Sequence, residues 1–99
     1  MRLLVVDDEW LIRKGITQMV RRLDEDWQVE EAANGLEALE RLKKTVYDLV
    51  LCDIKMPGMD GMKMLETLNG IGVDTPVVFL TGYDDFQLMR NAIRLRAHD

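Results

Sequence analysis

The chain alternates short continuous apolar runs with longer amphipathic stretches. The apolar runs at 3–6 and 48–53 are too short for helices and show no polar alternation, which is typical of strands buried on both faces. Two more strand candidates lie at 28–33 and 77–80. Between them, apolar residues recur at the spacing of helices that bury one side. The order βαβαβαβα predicts a parallel sheet with right-handed crossovers and helices on both faces.

Local signals indicate where two of the helices begin. Asn34 is a predicted N-cap, with Glu37 three residues on as in a capping box, and Leu36 on the helix behind it. Asp60 is a second predicted cap, for a helix through Leu68. That helix is expected to turn three residues toward the core, namely Met62, Leu65 and Leu68. In the first helix, Leu11 and Ile12 belong to the apolar stripe, and Gly15 suggests close packing.

Size and charge exclude several classes of function. Ninety-nine residues are enough for one domain, and no apolar run approaches the roughly 20 residues that span a bilayer. The net charge of −5 makes the chain a poor non-specific ligand for nucleic acid or anionic membrane and a reasonable one for cations. One cysteine cannot form an internal disulfide, which fits a cytoplasmic location.

Polar residues end three of the predicted strands. Asp7 and Asp8 follow the first strand, Asp53 ends the third and Thr81 follows the fourth. Ligands of open parallel sheets bind at this end of the strands, and the carboxylates converge there if the first and third strands are neighbours. Single aspartates at strand ends are often only turn formers. Three at neighbouring strand ends repel one another, and a hard cation such as Mg²⁺ relieves that repulsion, so the pattern favours a metal site.

Three motifs resemble the receiver domain of two-component response regulators. They are DDE at 7–9, DIKMPGMDG at 53–61 and LTGY at 80–83. The stretch TGYDDF at 81–86, with NAI at 91–93, is most similar to receivers attached to AraC-type DNA-binding domains. The resemblance implies a flavodoxin-like, doubly wound sheet of order 2-1-3-4-5. It also implies a non-enzymatic phosphoacceptor that a histidine kinase modifies.

The resemblance assigns a role to each motif position. Asp53 matches the phosphoacceptor, and Asp8 and Asp53 match the direct carboxylate ligands of Mg²⁺. The backbone carbonyl of Lys55 matches the third protein ligand, and Asp7 matches the acid that holds the metal through water. Thr81 matches the hydroxyl that turns toward the phosphoryl group when the domain switches.

The C-terminal part of the chain departs from the family pattern. Receivers continue into a fifth strand, which carries a lysine, and a fifth helix, whereas this sequence stops at 99. We therefore expect one receiver domain over residues 1–99, truncated before the fifth strand, with sheet order 2-1-3-4. An uncovered fourth strand favours a homodimer or a domain-swapped oligomer. DNA would be bound only through an output domain absent from this chain.

Two other functions remain open at this point. An Mg²⁺-dependent phosphohydrolase would also use an aspartate nucleophile, but such enzymes carry a second aspartate two residues on, where this chain has Lys55. A binding module that works without phosphorylation would not need the three aspartates. Turnover of phosphate esters and Mg²⁺ titration distinguish these alternatives from a phosphoacceptor.

Overall fold

The computed structural model describes residues 1–54 and 56–80, and the predicted alternation of strands and helices is confirmed over that range. Its elements are β1 (Arg2–Val6), α1 (Trp10–Leu23), β2 (Gln28–Ala32), α2 (Gly35–Lys44), β3 (Leu49–Asp53), α3 (Gly61–Gly70) and β4 (Val77–Leu80). No helix among these is both long enough and apolar enough to cross a bilayer. The predictions for Lys55 and Thr81 lie outside the described residues.

The four strands form one parallel sheet in the order β2-β1-β3-β4, which confirms the predicted topology. In the register of the central strands, Val6 lies beside Cys52 on β3 and beside Ala32 on β2. Asp7 follows Val6 and Asp53 follows Cys52, so these two residues lie at the same level of the sheet. This register brings Asp7 and Asp53 to the same edge of the sheet.

The central strands β1 and β3 are buried on both faces, as their continuous apolar runs predict. On one face, alternate residues of β1 and β3 pack with α2 and α3. On the other face, the intervening residues pack with α1 and Trp27. The first set is Leu4, Val6, Val50 and Cys52, and the second is Leu3, Val5, Leu49 and Leu51. Two layers of core thus hold the central strands, and with them the strand ends, in place.

Both predicted helix caps are present. The Asn34 side chain accepts a hydrogen bond from the Glu37 amide at 2.8 Å, and Asp60 accepts one from the Lys63 amide at 2.8 Å. The Glu37 carboxylate in turn accepts from the Ala33 amide at 3.3 Å, close to the arrangement of a capping box. The sequence signals therefore locate the start of α2 and α3 correctly.

Several predicted core positions prove to be wrong. In α3 the buried side chains are Met64 and Leu68, while Met62 is 53% exposed, because the helix presents its Met64 side to the sheet. Leu36 is also exposed, as are Leu11 and Ile12 in the first turn of α1. In the described part of the chain, a Cβ at Gly15 would meet no atom within 4 Å, so this glycine does not mark close packing.

Candidate metal centre

Three carboxylates meet at the C-terminal end of β1 and β3. One oxygen from each of Asp7, Asp8 and Asp53 can be chosen so that all three lie within 4.8 Å of one another. Asp7 is buried, Asp53 is partly buried and Asp8 is exposed, so the cluster opens to solvent on the Asp8 side. We call these three residues the acidic centre. It forms because β1 and β3 are neighbours in the sheet, the condition on which the predicted convergence depended.

Three hydrogen bonds hold Asp7, two at its backbone and one at its side chain. Its amide donates to the Ala32 carbonyl at the end of β2, at 3.2 Å. Its carboxylate accepts from the Glu9 amide at 2.9 Å, and its own carbonyl accepts from the Arg13 guanidinium at 2.8 Å. Together these bonds fix the turn between β1 and α1.

Burial raises the pKa of Asp7 above its ordinary value of 3.8, and the charges of Asp53 and Asp8 raise it further. The hydrogen bond from Glu9 acts in the opposite direction but does not cancel these effects. The acidic centre is therefore electrostatically unfavourable when its carboxylates are ionised. A bound cation removes this cost.

The loop between β3 and α3 passes close to the backbone of Asp53. The Gly61 amide donates to the Ile54 carbonyl at 2.8 Å, which closes the loop. A Cβ at Gly61 would lie 2.7 Å from the Asp53 carbonyl oxygen and 2.8 Å from a ring carbon of Phe79. Within the loop, Gly58 has a φ of +78°, a conformation that glycine adopts readily. Glycine at these two positions lets the chain fold tightly behind Asp53.

A salt-bridge cluster next to the acidic centre was not predicted from the sequence. Arg13 and Lys14 on α1 both contact Glu31 on β2, each at 2.9 Å. Burial opposes ionisation of Glu31, but the hydrogen bonds and charges of Lys14 and Arg13 outweigh it, so the pKa of Glu31 is lowered. No local sequence motif indicates this cluster, because it depends on how α1 packs against β2.

Cys52 lies beside Asp53 in sequence but takes no part in the acidic centre. It is fully buried among the core residues under α2 and α3. Burial, together with the nearby charges of Asp53, Asp7 and Asp60, raises the pKa of its thiol to about 12. The thiol is therefore protonated at neutral pH and serves as a small apolar core residue, as expected.

The acidic centre offers oxygen ligands only. Carboxylates at this separation, open to solvent on one side, match the preference of Mg²⁺ for a few protein oxygens completed by water. Of the five residues with predicted roles at the site, the structure brings together Asp7, Asp8 and Asp53. Lys55 and Thr81 are not among the described residues.

Comparison with known proteins identifies relatives over nearly the whole chain. The family profile of the response regulator receiver domain matches residues 3–99. The chain is 35% identical to sporulation initiation phosphotransferase F of Bacillus subtilis over 96 residues, which cover 97% of this chain and 76% of that protein. It is 36% identical over 99 residues to the transcriptional regulatory protein DltR of Streptococcus agalactiae, of which it covers 43%. The chain thus spans less than half of this second relative.

Solved structures of two-component regulators share this fold. A two-component transcriptional regulator AraC from Clostridium phytofermentans superposes with a TM-score of 0.79 at 25% identity, over 97% of this chain and 90% of that chain. The predicted similarity to AraC-type receivers is therefore reflected among the structural neighbours. With the family profile and the relatives in agreement, the chain belongs to the response regulator receiver domain family.

Proposed function

We propose that this chain is the phosphoacceptor module of a two-component response regulator, in which Asp53 accepts a phosphoryl group from a histidine kinase in an Mg²⁺-dependent reaction. Membership of the receiver family supports the general role. The observation that carries the proposal for this chain is the convergence of the Asp7, Asp8 and Asp53 carboxylates at one edge of the sheet.

The acidic centre fits a divalent cation by its donor chemistry. Its three carboxylates lie within 4.8 Å of one another, and the pKa of Asp7 is raised by burial and by its charged neighbours. We assign Asp8 and Asp53 as direct ligands, the Lys55 carbonyl as the third protein ligand and Asp7 as a ligand through water. When bound, Mg²⁺ neutralises the negative charge that builds up on the transferred phosphoryl oxygens.

The transfer itself depends on the Asp53 side chain. Its ionised carboxylate attacks the phosphorus of the phosphohistidine, a P–O bond forms, and the P–N bond to the kinase histidine breaks. The resulting acyl phosphate adds charge and strong acceptor oxygens at the end of β3. We assign Thr81, which follows Leu80 in the sequence, as the hydroxyl that then turns toward the phosphoryl group. This movement would carry the signal to an output domain of the DNA-binding type.

The proposal also covers the setting in which the chain works. We propose that residues 1–99 form a single receiver domain acting in the cytoplasm, where regulators of this family work, with self-phosphorylation and self-dephosphorylation as its only chemistry. A homodimer or a domain-swapped oligomer is a further proposal, as is contact with DNA through an output domain. Sedimentation of the chain in the presence and absence of a phosphodonor tests its oligomeric state.

Acetyl phosphate labelling tests the function directly. With Mg²⁺, we expect intact mass to increase by one phosphoryl group and peptide mapping to place it on Asp53. The control variant Asp53→Asn should remain unlabelled. Label on another carboxylate, or label that survives Asp53→Asn, contradicts the assignment. Sustained turnover of a phosphate ester would instead identify a phosphohydrolase.

A further inference from the structure

The Arg13 side chain connects the acidic centre to β2. Its Nη1 donates to the backbone carbonyl of Asp7 at 2.8 Å, and its Nε donates to the Glu31 carboxylate at 2.9 Å. Only 13% of the Arg13 side chain and 19% of the Glu31 side chain are exposed, so water competes weakly for either bond. The planar guanidinium thus spans two fixed partners, one in the turn after β1 and one on β2.

The carbonyl that Arg13 binds belongs to the peptide unit between Asp7 and Asp8. Because a peptide unit is planar, fixing its oxygen also fixes the direction in which Asp8 leaves the strand. Asp7 is itself buried, and a buried carbonyl without a donor carries a desolvation cost. Without Arg13, rotation of this peptide toward water would lower the free energy, because the carbonyl would regain a hydrogen-bond donor. That rotation would move the carboxylates on either side of the peptide.

The charge of Arg13 is paired with the Glu31 carboxylate. A guanidinium beside three carboxylates would otherwise compete with a cation for the same oxygens. Arg13 contacts Asp7 through its backbone carbonyl, so this hydrogen bond uses no carboxylate oxygen of the acidic centre.

From these contacts we propose that Arg13 is a positioning residue for the acidic centre, anchored by Glu31 and acting through the Asp7–Asp8 peptide. Its effect on Mg²⁺ rests on the proposed function, whereas its effect on the geometry of the turn does not. Partners of this kind outside the ligand shell commonly change metal affinity by 10- to 100-fold.

The adjacent residue provides a matched control. Lys14 contacts the same Glu31 carboxylate at 2.9 Å but is 44% exposed, and its contacts are to Glu31 and the Trp10 ring. Arg13→Gln and Lys14→Gln each remove one positive charge from the same cluster. On charge alone, both variants should bind Mg²⁺ slightly more tightly than the parent. Positioning predicts the opposite result for Arg13→Gln only.

The first measurement is an Mg²⁺ titration followed by amide NMR. We expect Arg13→Gln to bind about tenfold more weakly than the parent and Lys14→Gln to bind equally or more tightly. Arg13→Lys keeps the charge but has one terminal nitrogen, so it should lose most of the affinity as well. Equal weakening in Arg13→Gln and Lys14→Gln, or no weakening in either, overturns the proposal.

The second measurement needs no metal. The Glu9 amide donates to the Asp7 carboxylate, so its hydrogen exchange reports on the turn. We expect exchange to be roughly fivefold faster in Arg13→Gln and unchanged in Lys14→Gln. Unchanged exchange in all variants contradicts the positioning role. A parent that binds no Mg²⁺ would refute the proposed function, while this comparison would still decide the role of Arg13.

Discussion

Replacing Asp7 by asparagine should stabilise the metal-free protein and weaken its response to Mg²⁺. The substitution keeps the oxygen that accepts the hydrogen bond from the Glu9 amide, so the turn before α1 retains its bond. It removes the charge of a buried group that lies within 4.8 Å of the Asp8 and Asp53 carboxylates. The variant therefore isolates charge from geometry.

Coulomb's law sets the size of the effect. At this separation each like-charge pair costs about 1 kcal/mol in water and about 3.5 kcal/mol at an effective dielectric constant of ~20. The openness of the cluster at Asp8 favours the lower part of this range. We expect Asp7→Asn to raise the free energy of unfolding by about 2 kcal/mol without metal, or roughly 8–16 °C in Tm.

Mg²⁺ should narrow the difference in melting temperature between the parent and Asp7→Asn. At ten times its dissociation constant a ligand stabilises the folded state by about 1.4 kcal/mol, and at one hundred times by about 2.7 kcal/mol. Asp7→Asn, which lacks the charge that holds the metal through water, should gain less of this stability than the parent, so the two melting temperatures should converge as Mg²⁺ increases. Thermal melts over an Mg²⁺ series, with EDTA as the metal-free reference, measure this.

The pH dependence follows from the raised pKa of Asp7. Folded Asp7 retains its proton at pH values where the unfolded chain, with the ordinary pKa of 3.8, has already released it. The folded state then binds more protons than the unfolded state, so the contribution of this group to stability falls as pH rises above about 3.8. Asp7→Asn should lack this component in metal-free melts.

The exposed Asp26, which precedes β2 at the opposite end of the sheet, provides a charge-matched control. Asp26→Asn should leave the Mg²⁺ response and the pH dependence as they are in the parent. If Asp7→Asn melts no higher than the parent in EDTA, the charge of Asp7 does not destabilise the metal-free protein. If Asp7→Asn keeps the full stabilisation by Mg²⁺, this charge has no part in holding the metal.

Three further predictions concern the scaffold of the site. Gly61→Ala should lower the free energy of unfolding by about 1–3 kcal/mol in chemical denaturation, because its Cβ would lie 2.7 Å from the Asp53 carbonyl oxygen. Gly15→Ala, in open space on α1, should raise the free energy of unfolding by up to about 1 kcal/mol. Equal effects of these two substitutions would contradict the close approach of the loop. Asn34→Ala removes the cap of α2 and should lower the free energy of unfolding by about 1 kcal/mol in chemical denaturation. Its Mg²⁺ affinity, measured by titration, should be unchanged. Cys52, whose thiol has a pKa of about 12, should react with iodoacetamide only after unfolding; alkylation of the folded protein at neutral pH, detected by mass spectrometry, would show that the thiol is accessible.

The sequence predicts the scaffold well because its signals are local. The continuous apolar runs of β1 and β3 indicate burial on both faces, and the structure divides each run between two core layers. Asn34 and Asp60 mark helix starts through their own side-chain hydrogen bonds. The convergence of Asp7 with Asp53 needs one additional fact, that β1 and β3 are neighbours, and the resemblance to receivers implies that order.

Features that depend on tertiary geometry could not be predicted from the sequence. Met62 fits a helical stripe, yet α3 rotates so that Met64 faces the core instead. The bridge from Arg13 to Glu31 joins residues 18 positions apart and exists only because α1 lies over β2. Gly61 belongs to a recognisable motif, but the sequence does not show why glycine is needed there. The folded chain shows that the Asp53 carbonyl and the Phe79 ring leave no room for a Cβ.

Fluorine NMR of the chain with beryllofluoride, a mimic of the phosphoryl group, tests whether Asp53 and Mg²⁺ together form the phosphoacceptor site. We expect a bound-fluoride signal that requires both Mg²⁺ and the Asp53 carboxylate, since the mimic coordinates that carboxylate beside the metal. The signal should disappear on adding EDTA, be lost in Asp53→Asn and be strongly weakened in Asp8→Ala. Bound fluoride that persists without Mg²⁺ or in Asp53→Asn would show that Asp53 and Mg²⁺ do not form this site.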